Sequence, residues 1–291
     1  MKIAISGTSG IVGGFLAEYY SNSGVEVITI HNSIKRQGSS EIITYESLRD
    51  VDISKIDVVI HAGAAIPKKN SSDSAFDYIG LNLYTTKLIA EWAANNSRTK
   101  FIYISSTHIK EFLEFPISLQ ELNSINEIEI QKYFLSKLLC EFFLKVHHSR
   151  TGMQTAIVRI GTPISENYCG SGFINILMQN ALEQKVTNLY SDIEEILNLT
   201  WLMDVAAAIQ YIKKENLKLM TLDLVSSSSS LKEISSALSK ILKADVELKQ
   251  SKMSKVKRYY RRDTAGKIKD LNLEDRKISE ILKGILKVGD V

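Results

Sequence analysis

Short β-branched runs alternate with helical patterns over the first half of the chain. KIAIS (2–6), VEVITI (25–30), EIITY (41–45), DVVIHAG (57–63), FIYISS (101–106) and TAIVRIG (155–161) carry apolar residues on successive positions. That is the pattern of parallel strands buried on both faces; a half-exposed strand would alternate apolar with polar. Between these runs, apolar residues recur at helical spacing from about Ile11 to Asn22, in LNLYTTKLIAEWAANN and in YFLSKLLCEFFLKV. Strand and helix in alternation predict an α/β fold with a doubly wound parallel sheet. Past Gly161 the rhythm loosens. FINILMQNALEQK reads as a helix, NLTWLMDVAAAIQYIKK as a strand or turn entering a helix, and the five serines before LKEISSALSKIL as a loop ending in an N-cap. The C-terminal third is expected to form a second, smaller lobe.

Composition narrows the ligand. With 291 residues and 44% hydrophobic content the chain can bury a full core. A net charge of +3, with both signs mixed along the chain, offers no basic stripe for nucleic acid. Its two cysteines, Cys140 and Cys169, suggest neither a disulfide framework nor a metal site, and the five histidines have no metal-ligand spacing. Glycine interrupts the first apolar residues too soon for a signal peptide, and no apolar run is long enough to span a bilayer. The expectation is a cytoplasmic protein with a small or anionic ligand and no metal.

The first specific chemistry is in ISGTSGIVGG, where Gly7, Gly10 and Gly13 stand between the first strand and the first helix. Glycines at that junction allow a sharp turn, close approach of backbone to a pyrophosphate and tight packing of helix on strand. The helix N-terminus then offers free N–H groups to the phosphates. Gly7, Ser9, Gly10, Ile11, Val12 and Gly13 are the candidate contacts. The dinucleotide type is ordinarily set at the end of the second strand, by an acid on the ribose of NAD or an arginine on the 2′-phosphate of NADP. Here VEVITI runs into His31, Asn32, Ser33, Ile34, Lys35 and Arg36, with no carboxylate. Arg36, with Lys35 and Ser33, favours NADP, with NAD the alternative; Asn32 is a further candidate contact, and a solvated basic loop presents the same charges.

Tyr133 and Lys137 are four residues apart in a helical run and so share one helix face. Alone, that spacing fits a surface pair as well as a tyrosine whose proton a lysine controls. Taken with the rest of the chain, it resembles the extended short-chain dehydrogenase/reductase family, the NAD(P)-dependent epimerases, dehydratases and reductases of nucleotide sugars. The resemblance is carried by Gly7 to Gly13, HAGA (61–64), Asn82 and Thr86, FIYISST (101–107), Tyr133 with Lys137, VRIGTPIS (158–165) and WLMDVAAAI (201–209).

The resemblance implies a Rossmann-type domain over 1–162, with 199–225 returning to it, and a substrate-binding lobe from 163–198 and 226–291. It makes Tyr133 the acid/base at a sugar oxygen and has Lys137 lower its pKa and hold the nicotinamide ribose. A phenol titrates near 10 unperturbed, so a nearby cation must favour the phenolate if that form is to work near neutrality. Ser106 matches the catalytic hydroxyl position, which Ser105 or Thr107 could hold instead. Ala62, Gly63, Ala64, Asn82, Ser105, Ile160 and Gly161 are implied cofactor contacts, and Thr107 and Thr162 face substrate. In RYYRRD, Arg258, Arg261 and Arg262 are candidates for the substrate diphosphate, although a solvated face presents the same charges. A homodimer is also implied.

One departure narrows the chemistry. Family members that dehydrate carry Asp and Glu directly after the catalytic hydroxyl, where this chain has Thr107 and His108. Without that acid and base, elimination of water is not expected. Within what the resemblance implies, a reductase or an epimerase remains, and the missing acid with Arg36 leans to an NADPH-dependent reductase of a 4-keto nucleotide sugar, serving surface-polysaccharide synthesis. The alternatives are an NAD-dependent 4-epimerase and a non-catalytic dinucleotide sensor.

Overall fold

The runs of β-branched residues form a buried sheet. The computed structural model describes residues 1–31, 41–45, 47–66, 78–110, 125–165, 173–183, 186–189, 193–194, 196–216, 218–243, 245–246, 248–250 and 277–286. Its elements are β1 (Lys2–Ser6), α1 (Ile11–Asn22), β2 (Glu26–His31), β3 (Glu41–Thr44), β4 (Val58–His61), α2 (Tyr78–Ala94), β5 (Lys100–Ser106), α3 (Ile125–Thr151), β6 (Gln154–Ile160), β7 (Thr162–Ile164), α4 (Phe173–Leu182), β8 (Thr187–Leu189), β9 (Ile196–Trp201), α5 (Leu202–Lys214), β10 (Leu219–Leu224), β11 (Ser227–Ser230), α6 (Leu231–Leu242), β12 (Leu248–Gln250) and α7 (Ile278–Leu286). Two compact units result: Met1–Arg159 with Ala208–Leu222, and Ile160–Ala207 with Asp223–Val291.

In the first unit, a seven-stranded sheet runs in the order β10-β6-β5-β4-β1-β2-β3. β1 pairs in parallel with β2 and β4, and β2–β3 and β4–β5 are parallel too. The chain builds outward to β3 and then returns to the other side of β1. The sheet therefore reverses direction between β1 and β4, and such a reversal opens a crevice at the carboxyl ends of the strands. Register brings Ser6 opposite both Ile30 and His61 at that end. Ala4, Ile28, Val59, Phe101, Tyr103 and Ile157 from the strands pack with Ile89, Ala93, Cys140 and Leu144 from α2 and α3. Among the described residues between β3 and β4, two single turns of 3₁₀ helix are formed, Leu48–Asp50 and Ile53–Lys55. Lys100, at the start of β5, donates its ammonium to the carbonyls of Ile212, Lys213 and Glu215 and so caps the end of α5.

The second unit has a three-stranded sheet in the order β11-β9-β7 and a two-stranded β12-β8 pair. Helices α4, α6 and α7 bury Ile174, Leu177, Ile234, Leu238, Ile281 and Leu282 in one apolar cluster with Leu199 of β9. The serine run departs from the expected loop. Ser227–Ser230 form a strand, paired antiparallel with β9. Side-chain bonds satisfy what apolar packing does not: Ser228 donates to Asn198 Oδ1, and Ser227 and Ser229 share a hydrogen bond. The expected cap is present at its end, where Ser230 and Glu233 form a reciprocal capping box.

Candidate active site

The glycine loop closes over the end of β1. Gly10 donates its N–H to the carbonyl of Gly7, a tight turn, and Gly7 has a φ of 77°. A Cβ on Gly7 would lie 2.5 Å from Gly63 Cα and one on Gly13 2.6 Å from the carbonyl carbon of Gly7. Three backbone segments therefore meet with no room for a side chain. At the start of α1, Gly10 is the N-cap, no side chain caps it, and the first turn holds no acid. Its N–H groups and the positive end of the helix dipole suit an anion. Ser9 and Gly10 are exposed, and Ile11 and Val12 are partly so.

Below the loop lies a buried polar chain that sequence reading did not find. His61 shares Nδ1 with Ser6 Oγ at 2.6 Å and Nε2 with Thr86 Oγ1 at 3.0 Å. Gly63 donates its N–H to the same Ser6 hydroxyl at 3.4 Å, which ties the 62–66 segment to β1. Burial, helped by the charge of Lys137, lowers the pKa of His61 to about 3. The folded-state value is below the ordinary 6.5, so this neutral histidine contributes stability that is full above about 6.5 and is lost as pH falls toward 3. We expect about 3 kcal/mol of the folding free energy to disappear between pH 6.5 and 4, by the usual linkage of about 1.4 kcal/mol per pH unit. Urea midpoints measured across that range check it; a midpoint that does not move would contradict the buried neutral ring.

Asn82 and Ser105 hold protein rather than open space. Asn82 accepts from the Ala65 N–H and donates both amide hydrogens, to Ala65 O and Ser136 Oγ. It thereby fixes the segment containing Ala62, Gly63 and Ala64. Ser105 donates its hydroxyl to Glu141 at 2.7 Å. Glu141 also receives two bonds from Arg159, at 2.8 and 2.6 Å, and is 1% exposed. Neither Glu141 nor Arg159 was singled out from sequence; the i+4 step from Lys137 to Glu141 was the available signal.

The reactive pair lies at the end of β5. Lys137 is buried, donates to the carbonyl of Ile104 at 2.9 Å and has its ammonium 4.7 Å from the Tyr103 ring centre. That ammonium is 6.0 Å from the centre of the Tyr133 ring. Burial lowers the Lys137 pKa to about 8, against the opposing influence of Cys140 and Glu141. Burial raises Tyr133 to about 12, with Cys140 adding to the shift. The lowered phenol expected beside the lysine is thus not what this arrangement produces, because desolvation decides the sign. Tyr133 stays protonated at neutral pH.

Ser106 is within a hydrogen bond of His108: its Oγ is 3.0 Å from Nδ1 and accepts the His108 N–H at 3.3 Å. The His108 ring stacks on Phe134, the neighbour of Tyr133, with centres 5.1 Å apart. Thr107 Oγ1 is buried with no hydrogen-bond partner among the described residues. A buried hydroxyl left unpaired is costly unless something else bonds it. In the second unit, Ile160 is buried, Gly161 donates its N–H to Thr200 Oγ1 at 2.9 Å, and Thr162 opens β7 opposite Leu199. Asn32, Ser33, Lys35, Arg36, Cys169, Arg258, Arg261 and Arg262 lie outside the described residues. Among the described residues no group of histidine, cysteine and acidic side chains could hold a metal, and no helix is long and apolar enough to cross a membrane.

Residues 3–218 match the model of the NAD dependent epimerase/dehydratase family. The chain belongs to that family. Its members are enzymes of the extended short-chain dehydrogenase/reductase type. No curated protein matches the sequence. Among solved structures, the UDP-N-acetylglucosamine 4-epimerase of Methanobrevibacter ruminantium, in complex with UDP-N-acetylmuramic acid, is 19% identical with a TM-score of 0.76, over 98% of this chain and 97% of that one. The UDP-glucuronic acid 4-epimerase of Bacillus cereus, in complex with UDP-glucuronic acid and NAD, is 21% identical with a TM-score of 0.73, over 99% and 98%. An NAD dependent NDP-hexosamine 5,6-dehydratase of tunicamycin biosynthesis is 19% identical with a TM-score of 0.75, over 98% and 96%. At these identities the likeness is one of fold.

Proposed function

We propose that the protein is an NADPH-dependent reductase of a 4-keto nucleotide sugar that supplies a surface-polysaccharide pathway. The observation that carries this reading is Tyr133 with the ammonium of the buried Lys137 6.0 Å from its ring at the end of β5, in a chain with Thr107 and His108 where a dehydratase needs two carboxylates. A protonated phenol is a proton donor, and reduction of a ketone needs one at the oxygen. The glycine cradle and the acid-free start of α1 fit the diphosphate of a dinucleotide, whose nicotinamide would supply the hydride. Tyr133 gives its proton to the carbonyl oxygen as charge builds there. Ser106 donates a hydrogen bond to the same oxygen, and Thr107 has a hydroxyl to spare for the sugar. Lys137 holds the ribose beside the reacting carbon and carries a positive charge 6.0 Å from the Tyr133 ring. The domain limits of 1–162 and 199–225 for the cofactor, the other segments for substrate, and a homodimer belong to the same proposal.

The solved 4-epimerase bound to NAD favours a second reading, a 4-epimerase that keeps NAD and both oxidises and re-reduces the sugar. Such an enzyme must begin with Tyr133 as a base. Mixing the purified protein with NADPH or NADH and a panel of 4-keto nucleotide sugars distinguishes the two. Loss of cofactor absorbance with NADPH is expected. If no panel member oxidises either cofactor, the reductase reading fails; interconversion of two epimers without added cofactor establishes the rival.

A further inference from the structure

In the proposed reduction Ser106 and Tyr133 both donate to one substrate oxygen, and a histidine stands between them. β5 ends at Ser106, and the chain turns at once, Lys110 donating its N–H to the carbonyl of Thr107. Ser106 Oγ joins that turn by accepting the His108 N–H at 3.3 Å, an ordinary contact for a serine with the backbone two residues on. The same oxygen is 3.0 Å from Nδ1 of the His108 ring, and turn geometry does not require that second contact. The ring lies flat on Phe134, 3° from parallel, and Phe134 packs against Tyr133 with ring centres 5.6 Å apart. One imidazole therefore bridges the end of β5 to the part of α3 that carries the tyrosine.

A serine hydroxyl has one hydrogen to give and two lone pairs with which to accept. The His108 N–H fills one lone pair, so the ring decides how the rest is used. Where Nδ1 accepts, the serine hydrogen is spent on the ring and none is left for a substrate. Where Nδ1 carries a hydrogen, it donates into the second lone pair. Both acceptor sites are then full, and the hydroxyl hydrogen is the one group left to bond outward. A carboxylate at position 108 can only accept, and it would take the serine hydrogen for itself. Histidine can donate from Nδ1, and stacking on Phe134 holds the ring plane that this donation needs.

We propose that His108 is a positioning residue that donates from Nδ1 to Ser106 and so turns the serine hydroxyl toward the substrate oxygen. Because Nδ1 is engaged on Ser106, its effect on the substrate passes through that hydroxyl. The inference rests on the reading of Ser106 and Tyr133 as donors to a sugar oxygen, and it adds the group that frees the serine hydrogen for that bond.

Steady-state rates of purified full-length variants test it, with NADPH and the member of the 4-keto nucleotide-sugar panel that wild type reduces fastest. Ser106→Ala should lower kcat by about a hundredfold, the usual cost of one donor to a developing oxyanion. His108→Phe keeps a stacking ring and removes Nδ1; it should lower kcat about ten- to thirtyfold and move the NADPH KM by less than about twofold. His108→Asn returns an N–H donor to that place and should recover kcat to within about fivefold of wild type. Adding His108→Phe to Ser106→Ala should cost no more than about a further twofold, since groups that act as one unit do not add. Should the phenylalanine variant lose the wild-type circular dichroism, His108→Asp, which can only accept, takes its place with the same expected loss. Losses that multiply in the double variant, a phenylalanine variant at the wild-type rate, or an asparagine variant as slow as the phenylalanine one overturn the inference. A wild type that equilibrates two epimers and reduces no 4-keto sugar overturns the reductase reading alone, and the same variants then decide the inference on the epimerisation rate. A wild type with neither activity overturns both.

Discussion

Tyr133→Phe should abolish nearly all turnover while the protein still binds its dinucleotide. The substitution removes one hydroxyl and leaves the ring, which packs 5.6 Å from Phe134 and 6.0 Å from the Lys137 ammonium. Positioned proton transfer contributes about 10²–10⁴-fold to catalysis, and that is the expected loss in kcat. Cofactor affinity should change by no more than about threefold, because the lost group acts on the substrate oxygen and so in the transition state. Steady-state rates and a cofactor titration on the same preparation test both halves; full activity in the phenylalanine variant would refute the role. The pH profile adds a sign. Lys137, lowered to about 8, loses its proton well before Tyr133, raised to about 12. The reductive rate should therefore fall as pH rises through about 8, when the ammonium that carries the local positive charge is lost. An enzyme starting from a tyrosine base would gain rate with pH instead.

Glu141→Ala should be the most destabilising single change near the site. It takes away a carboxylate, 1% exposed, that holds two bonds from Arg159 and one from Ser105. The guanidinium, 12% exposed, would then lose both of its bonds to that carboxylate. Breaking a buried pair from one side costs about 3–5 kcal/mol, because the remaining charge has lost its water and its partner. The same change frees Ser105 beside Ser106 and loosens the contact of α3 with the ends of β5 and β6. Equilibrium unfolding in urea measures the first effect. A loss under about 1 kcal/mol would show that water reaches the pair and that it behaves as a surface bridge. Replacement of both Glu141 and Arg159 by apolar residues of similar volume should recover most of the stability, as buried pairs often allow.

The strands were legible because burial on both faces leaves a continuous apolar run. VEVITI and DVVIHAG read as strands without any partner in view, Glu26–His31 and Val58–His61 form there, and the register that brings Ser6 against His61 then follows from the sheet. The short strands β7, β8 and β12 of three residues each were not legible, because three residues have no period to detect. The serine strand was misread for a different reason. Serine favours turns by bonding its own backbone, and here Asn198 on the neighbouring strand offers a better partner. The glycine loop was read correctly as a junction, while the mutual fit of Gly7, Gly13 and Gly63 requires the chain to return to β1 more than fifty residues later.

What the amino-acid order determined alone is local: an alternating strand and helix pattern, glycines at a strand-to-helix turn, a tyrosine and a lysine one helical turn apart. These depend on spacing within a dozen residues, which hydrophobic period and glycine's missing side chain report directly. Only the tertiary structure decided the electrostatics. Whether Tyr133 is a phenol or a phenolate depends on how much water it loses against how near Lys137 comes, and both are set by residues far away in the chain. The same holds for the neutral His61 and the Glu141–Arg159 pair. Desolvation and charge pairing are properties of three-dimensional neighbourhoods, and no local pattern records them.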